Sequence, residues 1–158
     1  MTRPPYPSAR LCSAADDRGR SLRPSASQGF AAFQLLYEHK YLRYAQERLG
    51  SLALGHGAVV AAFSALSAIW AEVLGRSCPG TVSWQVLGHT VSAVRSASVC
   101  PSIDVDALYE VLPVLQADAV LLRDRLGMSL SGAADLMGVD ESALVVLQRL
   151  ADRSLDEA

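Results

Sequence analysis

Residues Gly127–Leu155, GMSLSGAADLMGVDESALVVLQRLADRSL, place the strongest constraint on how this chain folds. They read as two short helices around a tight turn. Ser129 or Ser131 supplies an N-cap for a first helix whose apolar residues are Leu130, Ala133, Ala134 and Met137. Gly138 follows the last of them, where a helix end wants a residue that tolerates positive φ. Asp140 offers a side-chain oxygen to the free N–H groups of a second helix, Glu141–Arg153, and Glu141 suits its positive end. Helix, glycine turn and capped helix is the helix-turn-helix pattern. In a DNA reader of that shape the second helix enters the major groove and carries donors to phosphates and base edges. Here it reads Ser142-Ala143-Leu144-Val145-Val146-Leu147-Gln148-Arg149. The frame is present and most of the expected basic chemistry is missing.

The charge distribution sharpens that mismatch. Residues 1–100 carry ten Arg/Lys against five Asp/Glu, whereas residues 101–158 carry four against eleven. A half with net charge −7 is repelled by the phosphate backbone, so it is a poor free-standing DNA binder. Hydrophobic residues make up 51% of the chain, mostly Ala, Leu and Val without β-type alternation. That predicts an all-α protein with enough apolar area for a core. Two small helical domains are expected, the second a helix-turn-helix.

Residues 1–28 hold prolines at 4, 5, 7 and 24 with five arginines, and read as a disordered basic arm. A first helix is expected over Gly29–Leu49, where Phe30, Phe33, Tyr37, Tyr41 and Tyr44 fall on one face. An aromatic stripe of this kind belongs in a core; a base-stacking surface is the alternative. Gly50 and Gly55-His56-Gly57 break the chain. A second helix is expected over Ala58–Leu74 with Val59, Phe63, Leu66 and Trp70 inward, and a third over Val82–Val94 with Trp84, Leu87, Val91 and Val94. These make a helical domain over 29–95. Residues 96–102 are the linker, where the charge changes sign. The domain over 103–158 opens with Asp104 as an N-cap, and Pro113 starts a helix with Leu115, Ala119 and Leu122 inward.

Ala58–Ala71 and Thr81–Val94 each give only 14 residues free of strong charge, and about 20 are needed to span a bilayer. Buried bundle helices are therefore expected, and no membrane partner. Cys12, Cys78 and Cys100 are odd in number and lack metal-ligand spacing, which suits reduced thiols in a cytoplasmic protein. The N-terminus has no apolar stretch after its arginines, so no secretory signal is expected.

The helical layout, with LPVLQADAVLLRDRLGMSLSGAADLMGVDESALVVLQRLADRSL at its end, resembles the extracytoplasmic-function sigma factors of bacterial RNA polymerase. Leu112-Pro113, Gln116, Leu121-Leu122, Gly127, Ala134, Gly138, Arg149 and Leu155 fall where that family's second domain has its pattern. Phe33, Tyr37, Tyr41, Ala45 and Leu49, then Trp70, then Trp84 and Leu87, resemble the helices of its other domain. The resemblance covers roughly residues 30–155. It implies RNA polymerase core, an anti-sigma protein or another regulatory protein as partner, with DNA reached through a polymerase complex.

The departures decide what carries over. Where the family shows an acidic pair and a glutamine that dock on the polymerase clamp, Val59, Val60 and Phe63 stand here. Where its recognition helix carries basic residues, Leu144 and Val146 stand here. A bidentate base contact supplies about 1–3 kcal/mol of discrimination, and Leu and Val make none. Ser142, Gln148, Arg149 and Arg153 remain as weak DNA-binding candidates. Residues 143–147 are all apolar, so some of Leu144, Val145 and Val146 are expected to face outward and form a protein interface. Val59, Val60 and Phe63, at the docking positions of the second helix, are the other interface candidates. The alternative is that the helix carrying residues 143–147 sits at the centre of a tighter bundle.

No enzyme, cofactor or metal site is expected. His39, His56 and His89 lack a partner at ligand spacing, and Asp16-Asp17, Asp104/Asp106 and Asp140-Glu141 read as caps and solvated faces. No phosphate loop or nucleophile elbow occurs. The expected function is a sigma-factor-like transcription regulator acting mainly through protein contacts. A working sigma factor, a structural or assembly protein forming homo-oligomers, and a small-molecule binder using Trp70 and Trp84 are the alternatives.

Overall fold

The computed structural model describes residues 25–99 and 103–158, and over them the protein is all-α. Seven helices follow in order: α1 Ala26–Leu49, α2 Leu52–Leu74, α3 Pro79–Ala97, α4 Ile103–Val111, α5 Val114–Val120, α6 Leu130–Met137 and α7 Glu141–Asp156. A π-helical turn, Leu121–Arg125, continues α5 directly. Of the arm expected over 1–28, residues 1–24 lie outside the described residues, with Cys12, Asp16 and Asp17 among them. Ser25 and Gln28 form a reciprocal capping box that starts α1 three residues before the expected Gly29. Of the expected linker, Ser96 and Ala97 belong to α3, and Cys100, Pro101 and Ser102 lie outside the described residues.

The expected break at Gly55-His56-Gly57 does not occur, because Ser51 caps α2 and the helix runs through both glycines. The reason is packing. A Cβ at Gly55 would lie 2.6 Å from Gln46 Cγ and 2.8 Å from the Gln46 backbone nitrogen, so only glycine lets α2 cross α1 this closely. Running unbroken, α2 has 23 residues and, among the described residues, is the one helix long and apolar enough by length and composition to cross a membrane. In the bundle it buries Val59, Ala62, Phe63, Leu66, Trp70 and Val73.

The aromatic stripe of α1 does face the core. Tyr41 and Tyr44 are buried, Tyr41 stacks on Phe63 with centroids 5.6 Å apart, and Phe33 lies 4.8 Å from Trp70. One continuous apolar core then draws side chains from both sides of 96–102, including Leu66, Leu87, Leu121, Leu136, Met137 and Leu144. The segment 117–122 is buried at every position, so the chain is wrapped on all sides where α5 passes into its π turn. Leu115, expected inward, is exposed instead.

Helices α6 and α7 join through Gly138 at φ 66°, as the sequence predicts, and Ser129 rather than Ser131 caps α6. Asp140 occupies the N-cap position of α7, but its side chain makes no capping hydrogen bond. The turn presses on the start of α3. A Cβ at Gly138 would lie 2.1 Å from the Thr81 nitrogen, and the Thr81 hydroxyl donates to the Gly138 carbonyl.

Gly138→Ala therefore meets both a left-handed backbone and a steric block, and is expected to cost about 2–4 kcal/mol. Gly55→Val is expected to cost about 1–3 kcal/mol by overpacking. Gly57→Ala, with open space at its Cβ, is expected to gain about 0.5–1 kcal/mol. Urea unfolding midpoints at constant slope rank the three.

Candidate functional site

The outward face of α7 collects the side chains that the sequence singles out. Ser142, Val146, Arg149 and Arg153 recur at helical spacing and are all exposed, with Leu150 beside them. Val146 and Leu150 are 53% and 39% exposed. Glu141, Asp152 and Asp156 are also exposed on this helix and give it an acidic margin. The opposite face anchors the helix: Leu144 and Ala151 are fully buried, and Val145, Leu147 and Gln148 are half-buried. Leu144 is thus core rather than interface, because residues 105–144 contribute to the same cluster as α1 to α3. Gln148 is turned partly inward, away from the two arginines.

The second set of interface candidates divides in the same way. Val59 and Phe63 are buried against α1, and Val60 is 55% exposed. Together they wall a groove of about 260 Å³ between α1 and α2, shared with Phe30, Gln34, Glu38 and Leu42. Around Val60 the outer face of α2 exposes Leu52, Ala61, Ala65, Ala68 and Ile69, with Glu72 exposed one turn beyond Ala68.

Specific polar contacts tie α1 to α6 and to the turn before it. The Tyr37 hydroxyl lies 3.1 Å from both carboxylate oxygens of Asp135, and Arg43 donates to the Leu126 carbonyl at 3.1 Å. Beneath them lies a buried junction that the sequence reading missed. Asp118 on α5 is 1% exposed. Its Oδ1 accepts from the Tyr44 hydroxyl at 2.7 Å and from the Tyr109 hydroxyl, and its Oδ2 accepts from the Trp84 indole at 3.1 Å. Four helices, α1, α3, α4 and α5, thus meet at one carboxylate. The signal for it was available: Asp118 is the lone charge in Val114–Leu122, on the side of the helix that also carries Ala119 and Leu122.

A second acidic residue ties down the rim. Asp106 accepts from Arg48 at 3.0 Å and from Arg95, and the Arg48 guanidinium sits 3.7 Å over the Tyr109 ring. Asp104, expected as a cap, lies within the first turn of α4 and faces Arg125 at 3.8 Å across an exposed gap.

Burial pushes the Asp118 carboxyl above the usual carboxylate range, against the pull of its three donors and of the Arg48 charge. The folded state then holds this proton more tightly than the unfolded chain does. Its contribution to stability is greatest below the unfolded value and falls as pH rises through the folded one. Asp106 has the opposite sign. Hydrogen bonding from Arg95 holds it below its ordinary value, so its stabilisation is complete above that value and lost as pH falls through the folded one. Burial and the Asp118 charge keep the Tyr44 and Tyr109 hydroxyls protonated and donating.

No group of three or more His, Cys, Asp or Glu among the described residues is arranged to hold a metal ion. Cys78 is an exposed free thiol at the start of α3. No protein-family model, curated protein or solved structure matches the chain.

Asp118→Ala strands two hydroxyls and an indole N–H in the core and is expected to cost about 3–5 kcal/mol. Tyr109→Phe removes one donor and is expected to cost about 1 kcal/mol. The stability of the wild type relative to Asp118→Asn is expected to rise as pH falls from neutrality toward 3.8, the ordinary carboxylate value, in urea titrations at several pH values.

Proposed function

We propose that this chain is a sigma-factor-like transcription regulator that works mainly through protein contacts, with RNA polymerase core or a regulatory protein as partner. The observation that carries this reading is the outward face of α7. On this reading it is the face a reading helix would use, yet it offers Val146 and Leu150 with only two arginines, Arg149 and Arg153, and exposed acidic residues at its margin. Apolar side chains exposed beside a few cations suit a protein surface better than a phosphate backbone. The acidic second half opposes free association with DNA. Val60 and the largely apolar outer face of α2 offer a second contact surface. DNA is reached only as part of a larger complex.

One observation favours a working sigma factor instead: Ser142, Arg149 and Arg153 share the exposed face, where a duplex would lie. The largely apolar face of α2 is what an assembly protein would present to its own copies.

Binding to core RNA polymerase and run-off transcription distinguish these readings. The expected result is capture of core polymerase without promoter-dependent transcripts. Val146→Glu combined with Leu150→Glu is expected to weaken that capture about tenfold or more, equivalent to about 1.4 kcal/mol. Isolated duplex DNA is expected to bind no tighter than ordinary non-specific contacts, about 10⁻⁴–10⁻⁶ M. Promoter-dependent transcripts would install the working sigma factor. No capture, with self-association in light scattering, would install the assembly protein.

A further inference from the structure

A cleft of about 270 Å³ opens between α3 and the start of α5, with Trp84 and Asp118 among its lining residues. The two tryptophans part company here: Trp70 lies among Phe30 and Phe33, while Trp84 forms the inner wall of this cleft. Val114 and Leu115 supply apolar walls, and Gln85, His89 and Ser92 are polar residues exposed around it. The exposure of Leu115, which the helical pattern places inward, is accounted for by its position in this lining.

Two features mark it as a built site rather than a surface dimple. The first is Asp118 itself, a carboxylate 1% exposed that nevertheless lines the cleft. Its three donors, Tyr44, Tyr109 and Trp84, are all neutral. The cation closest in the network, Arg48, pairs with Asp106 instead. Oδ1 takes two of the donors and Oδ2 takes one, which leaves Oδ2 with acceptor capacity. The second feature is Gly88, in the middle of α3. A Cβ there would meet nothing within 4 Å. Glycine in a helix interior is unfavourable by about 1 kcal/mol relative to alanine, and here its effect is to leave the cleft open.

We propose that this cleft binds a small organic cation: a primary ammonium group directed at Asp118 Oδ2, carried on an apolar, preferably aromatic, body that packs between Trp84 and Leu115. A charge-assisted hydrogen bond to a carboxylate in a low-dielectric site is about twice as strong as a neutral one. The volume is about nine times that of one water in the liquid, room enough for a ligand of roughly nine non-hydrogen atoms. Such a ligand reaches the junction that joins the two halves, so its binding is linked to their association. The proposal concerns a different surface from α7 and stands independently of the transcription reading.

The test uses the full chain and two probes of equal size, 2-phenylethylammonium and its neutral analogue 2-phenylethanol. Binding is followed by tryptophan fluorescence and by the shift in Tm. The ammonium is expected to bind about tenfold or more tightly than the alcohol. Because changing Asp118 also disturbs the core, the site is blocked with Gly88→Phe, which fills open space. This variant is expected to keep the wild-type circular dichroism and to lose the ammonium response. Equal affinity for the two probes, no binding of the ammonium, or an unchanged response in folded Gly88→Phe overturns the proposal.

Discussion

One carboxylate sets the terms for the rest of this structure. Asp118 is surrounded by apolar helices, and an ionised carboxylate in such a place is costly unless donors meet it. Two tyrosine hydroxyls and an indole N–H do so, and each comes from a different helix. The hydrophobic cluster around it is broad and non-directional. The hydrogen bonds are directional, so they select one register for α1, α3 and α4 against α5. Arg48 extends the same logic outward, stacking on Tyr109 while it pairs with Asp106.

Much of the fold was legible in the sequence because helical periodicity reports which face is buried. The aromatic stripe of α1, the inward tryptophans and the glycine turn before α7 all follow from residue spacing. What was not legible depends on neighbours distant in sequence. Gly55 reads as a breaker because glycine is weak in helices, but the close passage of Gln46 decides the matter. Val59 and Phe63 read as substituted contact residues, but α1 covers them. Asp118 reads as one polar residue in an apolar helix, because its partners lie 74, 34 and 9 positions away in the chain. The α7 face was half legible. An all-apolar run predicts that something must face outward, and only tertiary packing decides that Leu144 goes in and Val146 stays out.

The two ends of the helical pair experience different constraints. Its turn is pinned, since Gly138 touches Gly80 and Thr81 and Asp135 bonds Tyr37. These contacts engage α1 and the start of α3, not the outward side of α7. The surface of Ser142, Val146, Arg149 and Arg153 is therefore presented by a frame already ordered. A partner that docks there pays no cost for ordering the backbone, and its binding does not require the core to open. A duplex would meet the same face with two cations and an acidic margin, whereas a partner with an apolar ridge opposite Val146 and Leu150, and few phosphate-like charges around it, would meet matching chemistry there.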